Sequence, residues 1–384
     1  MKTDLGLENH AKGYKEHFYP TKGTYALSHS VGPLPRVAEA ALKQHYLNPW
    51  AELGGDAWPH WLEVIDDFCV KVGSLINADE SVICPQTNLA SGFSAYLTAI
   101  AKLDKNQNRR TVLMHKDAFA SMGFVVSGLA QSHGLKLALV HCEPNDIDGW
   151  NTALKAHDVL ACLFTHVHSN TSQKSDVKAL GHLAKKQGVY ALVDVAQSAG
   201  ISKIDVQDWG VDALFGSCVK WLCGGPGAGY MYVKQDQVDT LEPDITGWFS
   251  HQNPFEFDIL HYRAASSAKR FWGGTPSIAP FVMASASIEL MLKIGIDNII
   301  AYNRDLKAGL IERLQAKSTV SILPALKDIE QQGGSLCVGA NDMDKVEGKL
   351  KSAKIHFDRR ENIFRLSLHI MNDIEDLDAI AACF

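Results

Sequence analysis

The sequence lacks the features that mark membrane, secreted or nucleic-acid-binding proteins. It has no apolar stretch of about 18 residues, the length that a membrane-spanning helix needs. The N-terminal residues are polar and include no apolar segment typical of a signal peptide. The formal net charge is −6 and there is no long basic run, which makes nucleic acid and anionic membranes poor partners. We therefore expect a cytoplasmic protein that binds neither a membrane nor nucleic acid.

Disulfide and metal frameworks are also missing from the sequence. The eight cysteines are scattered without a C-x-x-C pair, and most lie in apolar runs, which is typical of reduced core thiols. His166 and His168 have an i, i+2 spacing that could suggest a metal. A metal site needs three or four ligands, however, and no third ligand is evident nearby, so we expect no metal. No internal repeat is visible.

The sequence does have the length and apolar content to bury a large core. It contains 384 residues, of which 46% are hydrophobic and 21% are charged. Strands that alternate with helices indicate an α/β fold with a large, doubly wound, mostly parallel sheet. A smaller α+β layer is expected near the C-terminus. We place an N-terminal arm at 1–23, a large domain at 24–280, and a linking helix with a small domain at 281–384.

Hydrophobic periodicity and turn residues predict the main elements. Helices are predicted at 58–76, 176–187, 277–317, 342–353 and from Asp373 onward, and a strand, a polar turn and a long helix at 81–103. Strands are predicted at 111–115, 137–141, 159–165, 189–195, 212–217, 335–339, 355–357 and 363–368.

Two of the predicted strands lead into charged residues. Asp194 lies near the end of one apolar run, and Lys220 follows the next. Because parallel strands end at the same edge of a sheet, the two side chains could share a pocket. A desolvated lysine can form a Schiff base, and an acid against the pyridine nitrogen of pyridoxal phosphate (PLP) keeps that nitrogen protonated. Taken alone, such an Asp is more often a turn residue and such a Lys a surface charge.

The residues around Asp194 and Lys220 decide whether the two are a cofactor-binding pair or a turn residue and a surface charge. DVAQSAG at 194–200, followed by SCVKWLCGGPGAGYMYV at 217–233, resembles the class V aminotransferase family of PLP-dependent enzymes (fold type I). That family includes cysteine desulfurases, isopenicillin epimerase-like proteins and kynureninases. The resemblance implies PLP as the cofactor, with Lys220 attached to it and Asp194 facing the pyridine nitrogen. It places Gln197 by the phenolic oxygen and Ser217 by the phosphate.

The resemblance extends to further positions in the large domain. Gln86 and Thr87 stand where a helix begins, so they would bind the PLP phosphate, helped by exposed N–H groups. Simple helix capping by Thr87 or Asn88 is the alternative. Phe119 would stack on the pyridine face. Asn170 would contact both the cofactor and the substrate carboxylate.

Other matching segments concern the substrate and a second subunit. GWFSH at 247–251 and KRFWGGTP at 269–276 resemble family segments, which assigns Trp248 to the cofactor site and Thr275 to the partner subunit's phosphate. The resemblance thus implies a homodimer. IFRLSLHIMND at 363–373 places Arg365 on the α-carboxylate of a small amino-acid substrate, where its planar fork gives a bidentate grip. Segment 28–31 would border the substrate, although a simple turn there is equally compatible.

The resemblance is less specific for the reaction than for the family. An aminotransferase is the first hypothesis, and a kynureninase-like hydrolase or β-lyase is the alternative. Against kynureninase, four positions depart from its pattern: Met122 replaces an Asp, Val219 a Tyr, Gln197 a His and Thr275 an Asn.

Two further hypotheses remain. A cysteine desulfurase needs an exposed reactive thiol, and Cys337 lies in an apolar strand pattern instead. A catalytically silent PLP-fold binding protein would have no need for Lys220, Asp194 and Arg365 together.

Overall fold

The fold is described by a computed structural model that covers residues 14–103, 109–315, 317–323 and 331–384. The larger of its two sheets has seven strands: β1 Ile83–Gln86, β2 Thr111–His115, β3 Lys136–Val140, β4 Val159–Thr165, β5 Tyr190–Asp194, β6 Ala213–Ser217 and β7 Gly229–Val233. Their order in the sheet is β1-β7-β6-β5-β4-β2-β3. Strands β2 to β6 are parallel, whereas β7 is antiparallel to both β1 and β6.

Helices cover the faces of this sheet and connect it to the C-terminal part. Every residue of β4 is buried, as a strand enclosed on both faces requires. The helices are α1 Arg36–Leu42, α2 Asn48–Leu53, α3 Trp58–Ile76, α4 Leu89–Leu103, α5 Ala120–His133, α6 Ile147–Ala156, α7 Val177–Lys186, α8 Val206–Trp209, α9 Gln235–Val238, α10 Ala279–Ile294, α11 Ile296–Gln315, α12 Met343–Ser352 and α13 Ile374–Ala381.

The second sheet is smaller and fully antiparallel. Its strands are β8 Val320–Leu323, β9 Leu336–Ala340, β10 Asp358–Arg360 and β11 Ile363–Leu366, in the order β10-β11-β9-β8. A separate hydrophobic core packs beneath it and draws on α11, α12 and α13. Segment 24–27 joins this region, because Ala26 N–H donates to the His356 carbonyl oxygen and Ser367 N–H donates to the Ala26 carbonyl oxygen.

The structure corrects two predicted elements. The helical pattern at 277–317 is two helices, α10 and α11, which meet at a bend of 78°. Gly295 lies between them with φ at 92°, a conformation that favours glycine and ends α10. The strand predicted at 355–357 instead forms at Asp358–Arg360, next to a tight turn at Glu361 and Asn362.

Helix lengths bear on a membrane association. Among the residues that the structure describes, no single helix is long and apolar enough to cross a membrane. The bent pair α10 and α11 passes that test only together, by length and composition. Both helices contribute buried residues to the protein core.

Candidate active site

A cavity of about 240 Å³ opens at the edge of the large sheet where β4, β5 and β6 end. These strands are parallel, so their last residues, Thr165, Asp194 and Ser217, come together on the cavity wall. The full lining is Asn88, Leu89, Ala90, Phe119, Ser121, Met122, Thr165, Val167, Ser169, Asp194, Ala196, Gln197, Ser217 and Lys220.

Lys220 lies in the loop between β6 and β7 and reaches this cavity. Its Nζ atom stands 5.6 Å from the centre of the Phe119 ring. Burial lowers the pKa of the Lys220 ammonium; Asp194 opposes that shift, and Arg365 and Arg360 add to it. A lysine in such surroundings loses its proton more readily, which is what a nucleophilic amine requires.

Asp194 is the acid that faces this lysine. It is buried, and its Oδ1 atom accepts a hydrogen bond from Ala196 N–H at 2.8 Å. Burial raises the pKa of the Asp194 carboxyl, while the Ala196 N–H and the Lys220 charge work in the opposite direction. A cationic ring nitrogen near this carboxylate would stabilise its charged form.

The N-terminus of α4 forms one end of the cavity. Asn88 caps this helix, because its Oδ1 accepts from Ser91 N–H at 3.0 Å. Its first residues, Leu89 and Ala90, also line the cavity. Gln86 does not, because its Nε2 donates to the Phe271 carbonyl oxygen at 3.1 Å. Thr87 is exposed and also lies outside the lining.

Gln197 and Ser217 both line the cavity, but their polar atoms already have partners within the protein. Gln197 Nε2 donates to the His29 carbonyl oxygen at 3.1 Å, and its Oε1 accepts from Trp221 Nε1 at 3.3 Å. Ser217 Oγ accepts from Val219 N–H at 3.5 Å, a long hydrogen bond. Ser217 is therefore freer than Gln197 to bind a new group.

Asn170 and Arg365 form a second group beyond the cavity, next to Ser169. Arg365 Nη1 donates to the Ser169 carbonyl oxygen at 2.7 Å. Asn170 Oδ1 accepts from Arg360 Nη1 at 2.6 Å. Neither Asn170 nor Arg365 lines the cavity itself, so a ligand would meet Ser169 first.

Trp248 and Thr275 form a third group away from the cavity lining. Trp248 Nε1 donates to Thr275 Oγ1 at 3.1 Å, and Thr275 is exposed. The Trp248 ring contacts Phe255 and Phe257, with centroids 5.8 and 6.2 Å apart. Within one chain, these residues do not reach the cavity.

Three residues next to this site were missed by the sequence analysis: Asp358, Arg360 and His29 as a side chain. Asp358 pairs with Arg365, and its Oδ2 atom lies 3.7 Å from His29 Nε2. Recognising a turn at Glu361 and Asn362 would have predicted a hairpin in which Asp358 lies opposite Arg365. The position of His29 follows only from tertiary packing, because nothing in its own segment indicates its partner.

Among the described residues, the histidines and cysteines form neither a metal cluster nor an exposed thiol. In the ranges that the structure describes, no group of three or more His, Cys, Asp or Glu could hold a metal ion. His166 and His168 are buried, and burial lowers the pKa of each imidazole to about 3. Seven of the eight cysteines are buried, and Cys142 is partly so. Burial raises the pKa of the Cys337 thiol to about 12, so this thiol is a poor nucleophile.

The cavity has the donor set that a phosphorylated pyridine aldehyde needs. Lys220 supplies an amine, Asp194 a partner for the ring nitrogen, and the α4 N-terminus exposed N–H groups for an anion. Thr165 Oγ1 is buried on the cavity wall and has no hydrogen-bond partner among the described residues. An unpaired polar atom here is what a bound polar ligand would satisfy. The fold and the site together define a PLP-dependent enzyme of the α/β type.

Comparison with known proteins gives the family. Residues 62–380 match the profile of the family described as Aminotransferase class-V, and the chain belongs to that family. This confirms the family, the enzyme class and PLP as the cofactor, all expected from the sequence.

Two relatives with curated names illustrate the range of activities. An uncharacterized aminotransferase, YcbU, from Bacillus subtilis is 30% identical over 240 residues, which is 62% of this chain and 62% of that protein. A kynureninase from Deinococcus radiodurans is 29% identical over 275 residues, covering 69% of this chain and 65% of that protein. The chain thus covers less than two thirds of the length of either relative.

Solved structures support the fold. An apo cysteine desulfurase from Thermococcus onnurineus NA1 superposes with a TM-score of 0.82 at 19% identity, covering 100% of this chain and 97% of that one. The cystine C-S lyase C-DES gives a TM-score of 0.84 at 20% identity, covering 94% and 97%. The α/β architecture of PLP-dependent transferases is therefore confirmed.

Proposed function

We propose that this protein is a PLP-dependent aminotransferase that acts on a small amino acid. The observation that carries the proposal is the pairing of a partly buried Lys220 and a buried Asp194 on one cavity, with Arg365 close enough to lower the pKa of the lysine. Bound PLP supplies an electron sink for the electron pair left when a bond at the amino acid's Cα breaks.

Each of these side chains has a role in that reaction. Arg365 binds the substrate carboxylate and so fixes the orientation of Cα. Lys220, as a free amine, takes the proton from Cα and returns it to another atom, as a general base and then a general acid. Asp194 holds its negative charge against the ring nitrogen. Phe119, whose ring centre lies 5.6 Å from Lys220 Nζ, would stack on the pyridine face.

The cavity favours transamination over hydrolysis of a kynurenine side chain. A volume of about 240 Å³ leaves little room beside the cofactor for the aromatic side chain of kynurenine, and a small amino acid needs less. Met122 contributes an apolar wall where the kynureninase pattern has an acid. Transamination would need proton transfers by Lys220 and one water molecule, which supplies the oxygen of the released 2-oxo acid, so it requires no acid at the position of Met122.

A kynureninase-like hydrolase or β-lyase is the second candidate. It is favoured by the several kynureninases among the relatives and by GWFSH at 247–251. Cysteine desulfuration is less well supported, because the cysteines are buried or partly buried.

We further propose a homodimer in the cytoplasm. The loop at 245–262, here called the apolar loop, exposes Ile245, Phe257, Ile259 and Leu260 by 79%, 76%, 94% and 82%. Apolar side chains exposed this far commonly mark an interface. The apolar loop includes Trp248, whose Nε1 donates a hydrogen bond to Thr275 Oγ1. A second subunit that covers this loop would therefore lie next to Thr275, the residue predicted to reach the phosphate of the partner subunit.

The test is a half-reaction experiment on the purified holoenzyme. An aminotransferase should lose the visible absorbance of its cofactor with an amino acid such as alanine and regain it with a 2-oxo acid. Hydrolysis or lysis would instead release product from kynurenine or cysteine while the absorbance persists. Lys220→Ala should abolish the response, whereas Lys203→Ala, which alters a lysine side chain that is 75% exposed, should not. A wild-type holoenzyme that responds to no amino acid would contradict the proposal.

A further inference from the structure

Arg365 is already occupied in the structure of the chain alone. Its Nε donates to Asp358 Oδ2 at 2.7 Å, and its Nη2 donates to the same oxygen. Its Nη1 donates to the Ser169 carbonyl oxygen. The residue is only 4% exposed and lies outside the cavity lining. A substrate carboxylate that enters from the cavity therefore meets an arginine whose Nε edge already holds a carboxylate.

The pairing of Asp358 with Arg365 is built into the small sheet. The two residues are directly opposite each other on β10 and β11, so their side chains share a face. The tight turn at Glu361 and Asn362 sets this register, with Glu361 in the left-handed region at φ 47°. Asp358 is thus held near the guanidinium by the backbone itself, at a high effective concentration.

Asp358 also has two other partners within short reach. His29 Nε2 is 3.7 Å from Asp358 Oδ2, and among the described residues this buried nitrogen has no hydrogen-bond partner. Arg360 Nε lies 3.5 Å from the same oxygen. Because His29 and Arg360 both lie close by, the Asp358 carboxylate can move away from Arg365 and still have partners for its charge.

His29 suits this purpose because it remains neutral and fixed. Burial lowers the pKa of its imidazole to about 4, although Asp358 acts against that shift. The opposite ring nitrogen, Nδ1, bonds Ser367 Oγ, which orients the ring. His29 can therefore provide a hydrogen bond to Asp358 without bringing a further buried charge.

We propose that Asp358 is an internal competitor for the substrate carboxylate, bound to Arg365 in the free enzyme and transferred to His29 and Arg360 when an amino acid binds. The inference rests on the proposed function, since it takes Arg365 as the carboxylate site. Asp358 is a positioning residue and takes no part in bond making. A ligand then binds only if its own carboxylate displaces Asp358 from Arg365, so ligands without a carboxylate are rejected.

The experiment compares the affinity of wild-type and Asp358→Asn holoenzyme for propionate, which has a carboxylate but no amine. The amide keeps the shape of Asp358 but removes its charge, so propionate should bind roughly tenfold more tightly. The dissociation constant is measured from the absorbance of the bound cofactor and, independently, from the rise in Tm with propionate. Asp344→Asn is the matched control, because it removes the same charge from an exposed pair with Arg359 in the same domain. It should leave the affinity unchanged.

Two further variants separate the possible failures. Asp358→Glu retains the competing charge and should keep the wild-type affinity; if it also binds propionate more tightly, loss of shape rather than of charge is responsible and the proposal is wrong. Unchanged or weaker binding by Asp358→Asn would likewise overturn it, and weaker binding would show that Asp358 only holds Arg365 in place. Arg365→Lys should lose most of the propionate affinity. If it does not, Arg365 is not the carboxylate site, and that part of the proposed function fails first.

Discussion

At the scale of single residues, the proposed role of Asp194 gives a sharp prediction. Asp194→Asn should reduce kcat by about 100-fold, because a neutral amide no longer stabilises a protonated ring nitrogen in a buried site. The cofactor should also be lost more readily on dialysis. Steady-state kinetics and the absorbance of the retained cofactor measure both effects.

Asp212→Asn is the appropriate comparison for that variant. Asp212 is a partly buried acid directly before β6, and its Oδ2 accepts from Ala191 N–H at 2.8 Å, but it lies outside the cavity lining. Its replacement should lower stability and leave cofactor retention intact. If the two variants retain cofactor and activity equally, the special role of Asp194 is lost.

The sequence predicted the residues at strand ends better than those held by tertiary contacts. Asp194, Ser217 and Lys220 reach the cavity because parallel strands end at one edge, a rule that is visible in the order of apolar runs. Gln86 does not reach it, because it points to the face of β1 that it shares with Cys84. Asp358 was missed because its partner depends on the register between β10 and β11, and the first of these strands was predicted at 355–357 instead of Asp358–Arg360.

At the scale of elements, the loop that carries Lys220 is supported by the segment before α1. Gly32 N–H donates to the Val219 carbonyl oxygen at 2.7 Å. A Cβ atom at Gly32 would stand 2.2 Å from the Lys220 carbonyl oxygen. Gly32→Ala should therefore displace the loop, with a loss of about 1–3 kcal/mol in the free energy of unfolding. Urea denaturation measures that loss.

The spectrum of the bound cofactor shows whether the displacement reaches Lys220. Gly348→Ala provides the control, because a Cβ there would meet no atom within 4 Å and the residue lies inside α12. That variant should be neutral or more stable by up to about 1 kcal/mol. A Gly32→Ala protein as stable as wild type, with an unchanged cofactor spectrum, would show that the segment yields easily and does not support the loop.

Periodicity predicted elements well where one face is buried throughout. Helix α3 and strands β2 and β4 have the predicted bounds, since their apolar pattern is continuous. The pattern does not show a bend, because α10 and α11 both keep apolar faces across Gly295. Strand β8 alternates between partly buried and exposed residues and so gave too weak a signal to be predicted.

For the whole molecule, the proposed dimer connects the apolar loop to the active site. Wild-type protein should have twice the 42.1 kDa mass of one chain in light scattering. A variant with both Ile259→Asp and Leu260→Asp should be monomeric, since two charges would have to be buried without partners. If Thr275 of one subunit contributes to the other subunit's phosphate site, the monomer should also bind PLP more weakly.

The control for that variant is Leu139→Asp, which places a charge on edge strand β3 at a residue that is 44% exposed. It should remain dimeric and keep its cofactor. PLP binding by the variant should return as its concentration is raised and dimers form again. Dimer formation and PLP affinity would then rise together with protein concentration, which would link the two directly. A stable monomer with the PLP affinity of wild type would instead mean that each chain builds its site alone, and that Thr275 serves only to hold Trp248.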